Sequence, residues 1–298
     1  GLFPGAPFVF VGFNQNIGWG MTVNGPDLTD AFKLTINPED KNQYLLDGKW
    51  ENFDIKNIEL PVKLLGPIRW TFNREAKFSK HGLVLETESG SYALKFAGMK
   101  EIRQPDQWFR MNKAQNKAEW LKAMEMRAII SFNAVYADKE DNIMLLHNTA
   151  GPIRNESYDW TQPVDGTNSA LIWDEITPFD EIPLLINPNS GWIVSANQDP
   201  FRASAIKDNL NRSDYSKTLG IETKMTNRAY RVIEIFDNDK KFTEQDLLDA
   251  KFDNEYSKES RSIKYLQNVL AQEYEDKEFQ EAQAVLNAWD LKTDNNNR

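Results

Sequence analysis

The sequence predicts an α+β fold, with antiparallel sheets over residues 1–226 and a mainly helical segment over residues 227–298. Three observations point there. Between residues 8 and 100, short aromatic and β-branched runs alternate with turn signals. Pro- and Gly-punctuated connections continue as far as Pro200. Beyond Asn227 the apolar residues recur at helical spacing instead.

The first hairpin runs from Phe8–Val11 through the turn Asn14-Gln15-Asn16 to Ile17 and Trp19, and then enters a loop of small and acidic residues ending near Asp27. Further turns precede strands at Asp47-Gly48, Gly66-Pro67 and Ser89-Gly90-Ser91. Alternation in Arg69-Trp70-Thr71-Phe72 and in Leu83-Val84-Leu85-Glu86 predicts half-buried antiparallel strands. A helix is expected over 115–129, with Ala118, Leu121, Met124 and Ile129 inward and Lys117, Glu119 and Lys122 solvated. Residues 130–146 read as a hairpin around Asp138–Asn142. The stretch 151–179, holding Trp160 and Trp173, is a loop of a length that is usually functional or wrapped over a core. Residues 182–200 close the β region. Arg228–Phe236 then reads as a helix, and Thr243 with Asp246 has capping-box spacing. One or two amphipathic helices are expected over 260–290, with Asp294–Arg298 frayed.

Composition excludes several functions. The formal charge of −10 leaves no electrostatic footprint for nucleic acid and disfavours anionic membranes. There is no cysteine, so disulfides and thiolate chemistry are absent. No apolar stretch approaches the ~20 residues of a membrane span. The two histidines, His81 and His147, lack zinc-protease spacing and read as structural. Asp237-Asn238-Asp239 opens like a calcium-binding EF-hand loop, but the glycine and glutamate that should follow are missing. The 17 Phe, 9 Trp and 9 Tyr support a large core.

Two segments hold the candidate chemistry. Gly12–Asp27 contains the pattern G-x-N-x-x-I-x-W-G-x-T, and Asn187–Pro200 contains N-P-x-x-G-W-I with Asn197 at its polar exit. By residues alone, Asn197 is a turn asparagine at a strand end. Together the two segments resemble the β chain of the penicillin acylase family, N-terminal nucleophile amidohydrolases that include acyl-homoserine lactone acylases. Arg228-Ala229-Tyr230-Arg231-Val232-Ile233-Glu234 is similar to a helix of that family, as are His81-Gly82 and Tyr136-Ala137-Asp138 to its strands. The resemblance implies a four-layer αββα fold, here with an inserted β region. It also implies an oxyanion hole made by the Val23 N–H and the Asn197 side chain, with Arg228 organising charge beside them. Val11, Met21 and Ala134 match positions lining the family's acyl pocket. The small Ala134 leans toward long aliphatic acyl chains.

The family's nucleophile is a serine at the start of the β chain. It is expected upstream of Gly1, which would make this chain an internal portion that is inactive alone and completed by an α chain and further β-chain segments. The implied substrate is a small N-acyl compound, and the implied compartment is periplasmic or secreted. No cofactor is required, but calcium-binding relatives use the positions of Asp27, Thr29 and Asp30, which read equally as turn residues. Two alternatives stay open. One is a non-catalytic β-rich module stacking sugars or peptides on Trp108, Trp160 and Trp173. The other is a degenerate paralogue.

Overall fold

The computed structural model describes residues 1, 4–238 and 240–294. Of the residues expected to fray, 295–298 lie outside that range. β1 (Gly12–Phe13) and β2 (Ile17–Thr22) flank the first turn, where Asn14 Oδ1 accepts the backbone N–H groups of Asn16 and Ile17. The first strand is therefore later and shorter than the Phe8–Val11 run. Those aromatic residues pack against Trp108 instead, with the Phe10 ring 4.5 Å from it.

β3 (Thr29–Leu34), β4 (Gln43–Leu46), β5 (Lys49–Asn52), β6 (Asp54–Leu65), β7 (Ile68–Phe78), β8 (Leu83–Thr87) and β9 (Gly90–Phe96) follow, with their turns where the sequence places them. Asp47 and Gly48 both have positive φ, 49° and 76°, as a two-residue turn matched to strand twist requires. One expectation fails here. Residues 56–65 and 68–75 are exposed rather than half-buried, so β6 and β7 form a ribbon standing out from the sheet.

α1 (Gln104–Lys113) is a helix that the sequence reading did not expect, and the helix expected over 115–129 forms over the shorter α2 (Lys117–Met124). Asn116 separates them, because its side chain accepts from the Glu119 N–H and caps α2. Arg127, at φ 45°, turns the chain out of the helical path, so Ile129 reaches the core from the segment beyond it. β10 (Ser131–Asp138) and β11 (Ile143–Thr149) form the expected hairpin, followed by β12 (Val164–Asp165) and β13 (Leu184–Ile186). The last part is helical: α3 (Asn227–Phe236), α4 (Glu244–Lys251), α5 (Arg261–Leu270) and α6 (Lys277–Asn287), with the Thr243–Asp246 capping box formed.

The strands make two main sheets. One has the order β1-β2-β10-β11-β13 and is antiparallel throughout. The other has the order β12-β3-β9-β8-β7-β6, parallel only between β12 and β3. α1 and α2 cover the first sheet through Trp108, Met111, Trp120 and Met124, which meet Trp19 and Tyr136 in one core. The second core gathers Phe32, Tyr44, Phe53 and Val84, and the 151–179 loop folds over it through Trp160 and Trp173. Trp108, Trp160 and Trp173 are only 6–8% exposed, which removes the stacking surface that the binding-module reading needs.

Gly82 links the second sheet at its tightest point. A Cβ there would lie 2.0 Å from the Leu94 carbonyl oxygen, at φ 150°. Gly82→Ala is therefore expected to cost roughly 2–3 kcal/mol, seen as a lower urea midpoint. An unchanged midpoint would show that the β8–β9 backbone yields freely.

Candidate active site

The site grows from the end of β2. Thr22 closes the strand opposite Asn133 of β10, and its hydroxyl lies 2.7 Å from the Ser195 hydroxyl. Val23 then leaves the sheet with 64% exposure. Its carbonyl accepts the Asn197 side-chain amide at 2.7 Å, while its own N–H has no partner among the described residues. Asn24, next in line, is buried and donates to the Asn148 carbonyl at 3.0 Å.

Asn197 is held from both sides. Gln198 is buried, accepts the Ala196 N–H and donates to the carbonyls of Val194 and Arg202, bending the backbone into a tight loop. That loop places Asn197 at φ 70°, a left-handed conformation asparagine tolerates better than most residues. The Arg228 guanidinium donates to Asn197 Oδ1 at 2.7 Å. This bond fixes the orientation of the amide: a cation must face the oxygen, so the NH₂ group faces Val23. One Nδ2 hydrogen is used by the Val23 carbonyl, and the other has no partner among the described residues.

Arg228 sits at the second position of α3, where a helix disfavours positive charge. Its partner on Asn197 and the anchoring of the helix offset this. Arg231, one turn later, pairs with Asp253 at 2.8 Å and Glu255 at 3.0 Å, and these carboxylates hold its guanidinium firmly charged. Asn227 Oδ1 accepts the Ser257 N–H at 2.9 Å. Val23, Asn197 and Arg228 are thus brought into one hydrogen-bonded line.

Behind that line runs a buried polar chain the sequence did not single out. His147 Nδ1 lies 2.8 Å from Asn133 Oδ1, and Asn133 Nδ2 donates to the Gln198 carbonyl at 3.0 Å. Since the Asn133 amide presents its oxygen to the ring, the Nδ1 carries the proton. The only sequence signal was a pair of polar residues, Asn133 and His147, inside apolar strands.

The acyl-pocket candidates are spread across neighbouring strands. Met21 and Ala134 face each other as cross-strand partners, with Ala134 fully buried in the first core. Val11 lies just ahead of β1, which borders β2 on the side away from β10.

The two aspartates of the calcium-candidate set, Asp27 and Asp30, meet an arginine. Asp30 Oδ2 accepts from Arg154 Nε at 2.7 Å and from Trp173 Nε1 at 2.6 Å, and Asp27 lies 3.5 Å from the same guanidinium. Arg154 also donates to the Thr218 carbonyl at 2.7 Å. Burial pushes the Asp30 carboxyl above its ordinary range, against the pull of Arg154 and Trp173. Asp30 Oδ1 is buried and has no hydrogen-bond partner among the described residues. A cation accepting only oxygen ligands could satisfy that atom, with Asp27 and the Thr29 carbonyl on the adjoining backbone.

Two sheets with covering helices are part of the N-terminal nucleophile hydrolase fold, as the comparisons show. The structure superposes on the thermostable penicillin G acylase from Alcaligenes faecalis with a TM-score of 0.77 at 23% identity, covering 98% of this chain and 51% of that one. The penicillin amidase family model matches residues 1–298, and the chain belongs to that family. It is 32% identical over 202 residues to penicillin G acylase of Escherichia coli, covering 66% of this chain and 23% of the relative. It is 25% identical over 191 residues to the acyl-homoserine lactone acylase PvdQ of Pseudomonas fluorescens (strain Pf0-1), covering 57% and 24%. The chain thus spans about a quarter of the length of these curated relatives.

The buried His147 makes stability depend on pH. Burial lowers its pKa from 6.5 to about 4, so on acidification the unfolded chain takes up the proton first. Its share of stability is full above pH 6.5, falls as pH drops toward 4, and amounts to at most ~3 kcal/mol. Urea midpoints measured across that window should fall less steeply in His147→Gln than in the wild type. Equal slopes would mean that His147 titrates as an ordinary histidine.

Proposed function

We propose that this chain supplies the oxyanion-stabilising half of an amidohydrolase that cleaves the acyl amide bond of small N-acyl compounds. The observation that carries the reading is that the Val23 N–H and the second Asn197 Nδ2 hydrogen have no partner among the described residues, while the Asn197–Val23 bond ties the two residues together. The Escherichia coli and Pseudomonas fluorescens relatives are both acylases by title, which supports the same reaction class.

In this reading a serine α-amine and hydroxyl, outside these 298 residues, provide base and nucleophile. Attack on the amide carbonyl moves its π electrons onto oxygen, and the resulting oxyanion accepts hydrogen bonds from Val23 and Asn197. Arg228 draws electron density from the Asn197 carbonyl, which makes the Nδ2–H a stronger donor and prevents the amide from flipping. Collapse of the intermediate expels the amine, and water releases the acid. Thr22, Ser195, Asn133 and Gln198 act as positioning residues, because they fix the backbone on which both donors sit.

Met21 and Ala134 are the pocket positions of this proposal, with Val11 at the rim, and an alanine at 134 favours long aliphatic acyl groups. The companion chain segments and an export compartment belong to the same reading.

In the same reading calcium is a structural ion of the loop after Val23: Asp30 Oδ1, Asp27 and the Thr29 carbonyl would hold it beside Arg154, and it would stiffen the segment carrying the Val23 donor. Adding calcium should then raise the thermal midpoint of the parent enzyme, and Asp30→Asn should abolish that rise. A midpoint indifferent to calcium would leave Arg154 as the sole cation there.

Removing one such donor typically costs about 10²–10³ in kcat. Asn197→Ala in the complete enzyme is expected to lose that much while keeping its fold by circular dichroism, and the 298-residue chain by itself should turn over no amide. Ordinary turnover by the Asn197→Ala enzyme would rule out the oxyanion role.

A further inference from the structure

Val23 and Asn197 reach the candidate site from different parts of the chain, and the residue after each is anchored by a buried amide. Asn24, directly after Val23, donates its Nδ2–H to the Asn148 carbonyl of β11 at 3.0 Å. Gln198, directly after Asn197, accepts at its carbonyl the Nδ2–H of Asn133 in β10, also at 3.0 Å. His147 fills the space between the two anchors. Its ring is buried, with Nδ1 2.8 Å from Asn133 Oδ1 and 3.4 Å from Asn24 Nδ2. The proton positions follow from partner to partner. The Gln198 carbonyl can only accept, so the Asn133 nitrogen faces it and the oxygen faces the ring, which puts the imidazole hydrogen on Nδ1. Asn24 Nδ2 is a donor as well, so at 3.4 Å the two nitrogens touch without bonding, and Asn24 directs its hydrogen to Asn148. Nε2 keeps a lone pair and has no partner among the described residues. The ring therefore makes one directed bond, to Asn133, and acts toward Asn24 as a spacer. Its own place is fixed by the ladder, since His147 pairs across the strands with Asn133 and its N–H donates to the Pro183 carbonyl at 2.9 Å.

We propose that His147 is a positioning residue of the oxyanion site, which sets the separation of the Val23 and Asn197 donors by holding the Asn24 and Asn133 amides in place. This role presupposes the oxyanion reading of those donors. Two observations favour it over the packing role usual for a buried histidine. Packing needs volume alone, and an apolar side chain would supply it without leaving a ring nitrogen unpaired at this depth. The ring's single directed bond also lies on the line that runs through Asn133 and Gln198 to Asn197. Without the Nδ1–H, Asn133 Oδ1 has no donor and its amide is free to turn, and Gln198 loses its fixed partner. Displacing a catalytic group by about 1 Å can cost on the order of 10²-fold in rate.

Two measurements on the complete parent enzyme test this role. In protein labelled with nitrogen-15 histidine, the His147 signals, assigned by their loss in His147→Asn, should show at neutral pH a proton on Nδ1 and none on Nε2. A proton on Nε2 instead would overturn the role, and this result depends on no variant's activity. Turnover is the second measurement. His147→Leu keeps apolar bulk but removes the donor, and should lower kcat about 10–100-fold while KM stays within about twofold. His147→Asn places an N–H where Nδ1 stood and should hold kcat within about threefold of the wild type. Unchanged kcat in His147→Leu would overturn the role, and so would equal losses in the two variants, because they would report lost packing. Should His147→Leu fail to fold, the proton position and the His147→Asn kcat still decide. Asn197→Ala assayed alongside separates the two readings. An inactive Asn197→Ala enzyme beside a fully active His147→Leu enzyme overturns the role of His147 alone. A fully active Asn197→Ala enzyme overturns the oxyanion reading and this role with it.

Discussion

The buried amide of Asn133 is the constraint on which the candidate site depends. It lies opposite Thr22 on one strand and His147 on the other, so it stands at the centre of the first sheet's ladder. With its oxygen toward the imidazole and its nitrogen toward the Gln198 carbonyl, it couples the register of β2, β10 and β11 to the loop carrying Asn197. An unpaired polar atom at this depth costs more than a bond gains, and in this network His147 Nε2 is buried without a partner among the described residues, so the bonds Asn133 does make carry the coupling. A one-residue slip of β10 would turn Asn133 to the opposite face and cut the sheet off from the loop.

Charge is arranged in two distinct ways around this frame. Beside Asn197, Arg228 remains at the surface, where solvent softens its field, and its effect is exerted through one directed hydrogen bond. Beneath the loop after Val23, Arg154 is wholly enclosed, with Asp30, Asp27 and the Thr218 carbonyl around it and Trp160 5.7 Å from its guanidinium carbon. The first arrangement keeps an amide oriented. The second joins three segments distant in sequence, and Gly220 allows their approach, since a Cβ there would lie 2.3 Å from Asp27.

What could be read from the sequence was mostly local. The turn at Asp47-Gly48, the capping box at Thr243 and the hairpin around Asp138 rest on contacts within a few residues, and all three formed. α1 was missed because Gln104–Lys113 is polar nearly throughout, and its few inward residues, Trp108 and Met111 among them, gave too faint a periodicity. Alternation in Arg69–Phe72 correctly indicated which side of the strand is apolar, but no pattern within one strand can say what lies against it. At the candidate site, Val23, Asn197 and Arg228 stand out only through family resemblance, and residue chemistry alone leaves Asn197 a turn residue. Asn133 and Gln198 went unnoticed because their importance lies wholly in tertiary partners.

The bond between Asn197 and Val23 closes a span of 174 residues. Loop-closure entropy grows only logarithmically, so bringing these groups together costs roughly 2 kcal/mol more than closing a loop of about 20 residues. The greater consequence is one of timing. Contacts this far apart form only after the strands between them have paired. A partly folded chain therefore carries both donors on separate, solvated segments, and the pair comes into being only as the tertiary structure closes.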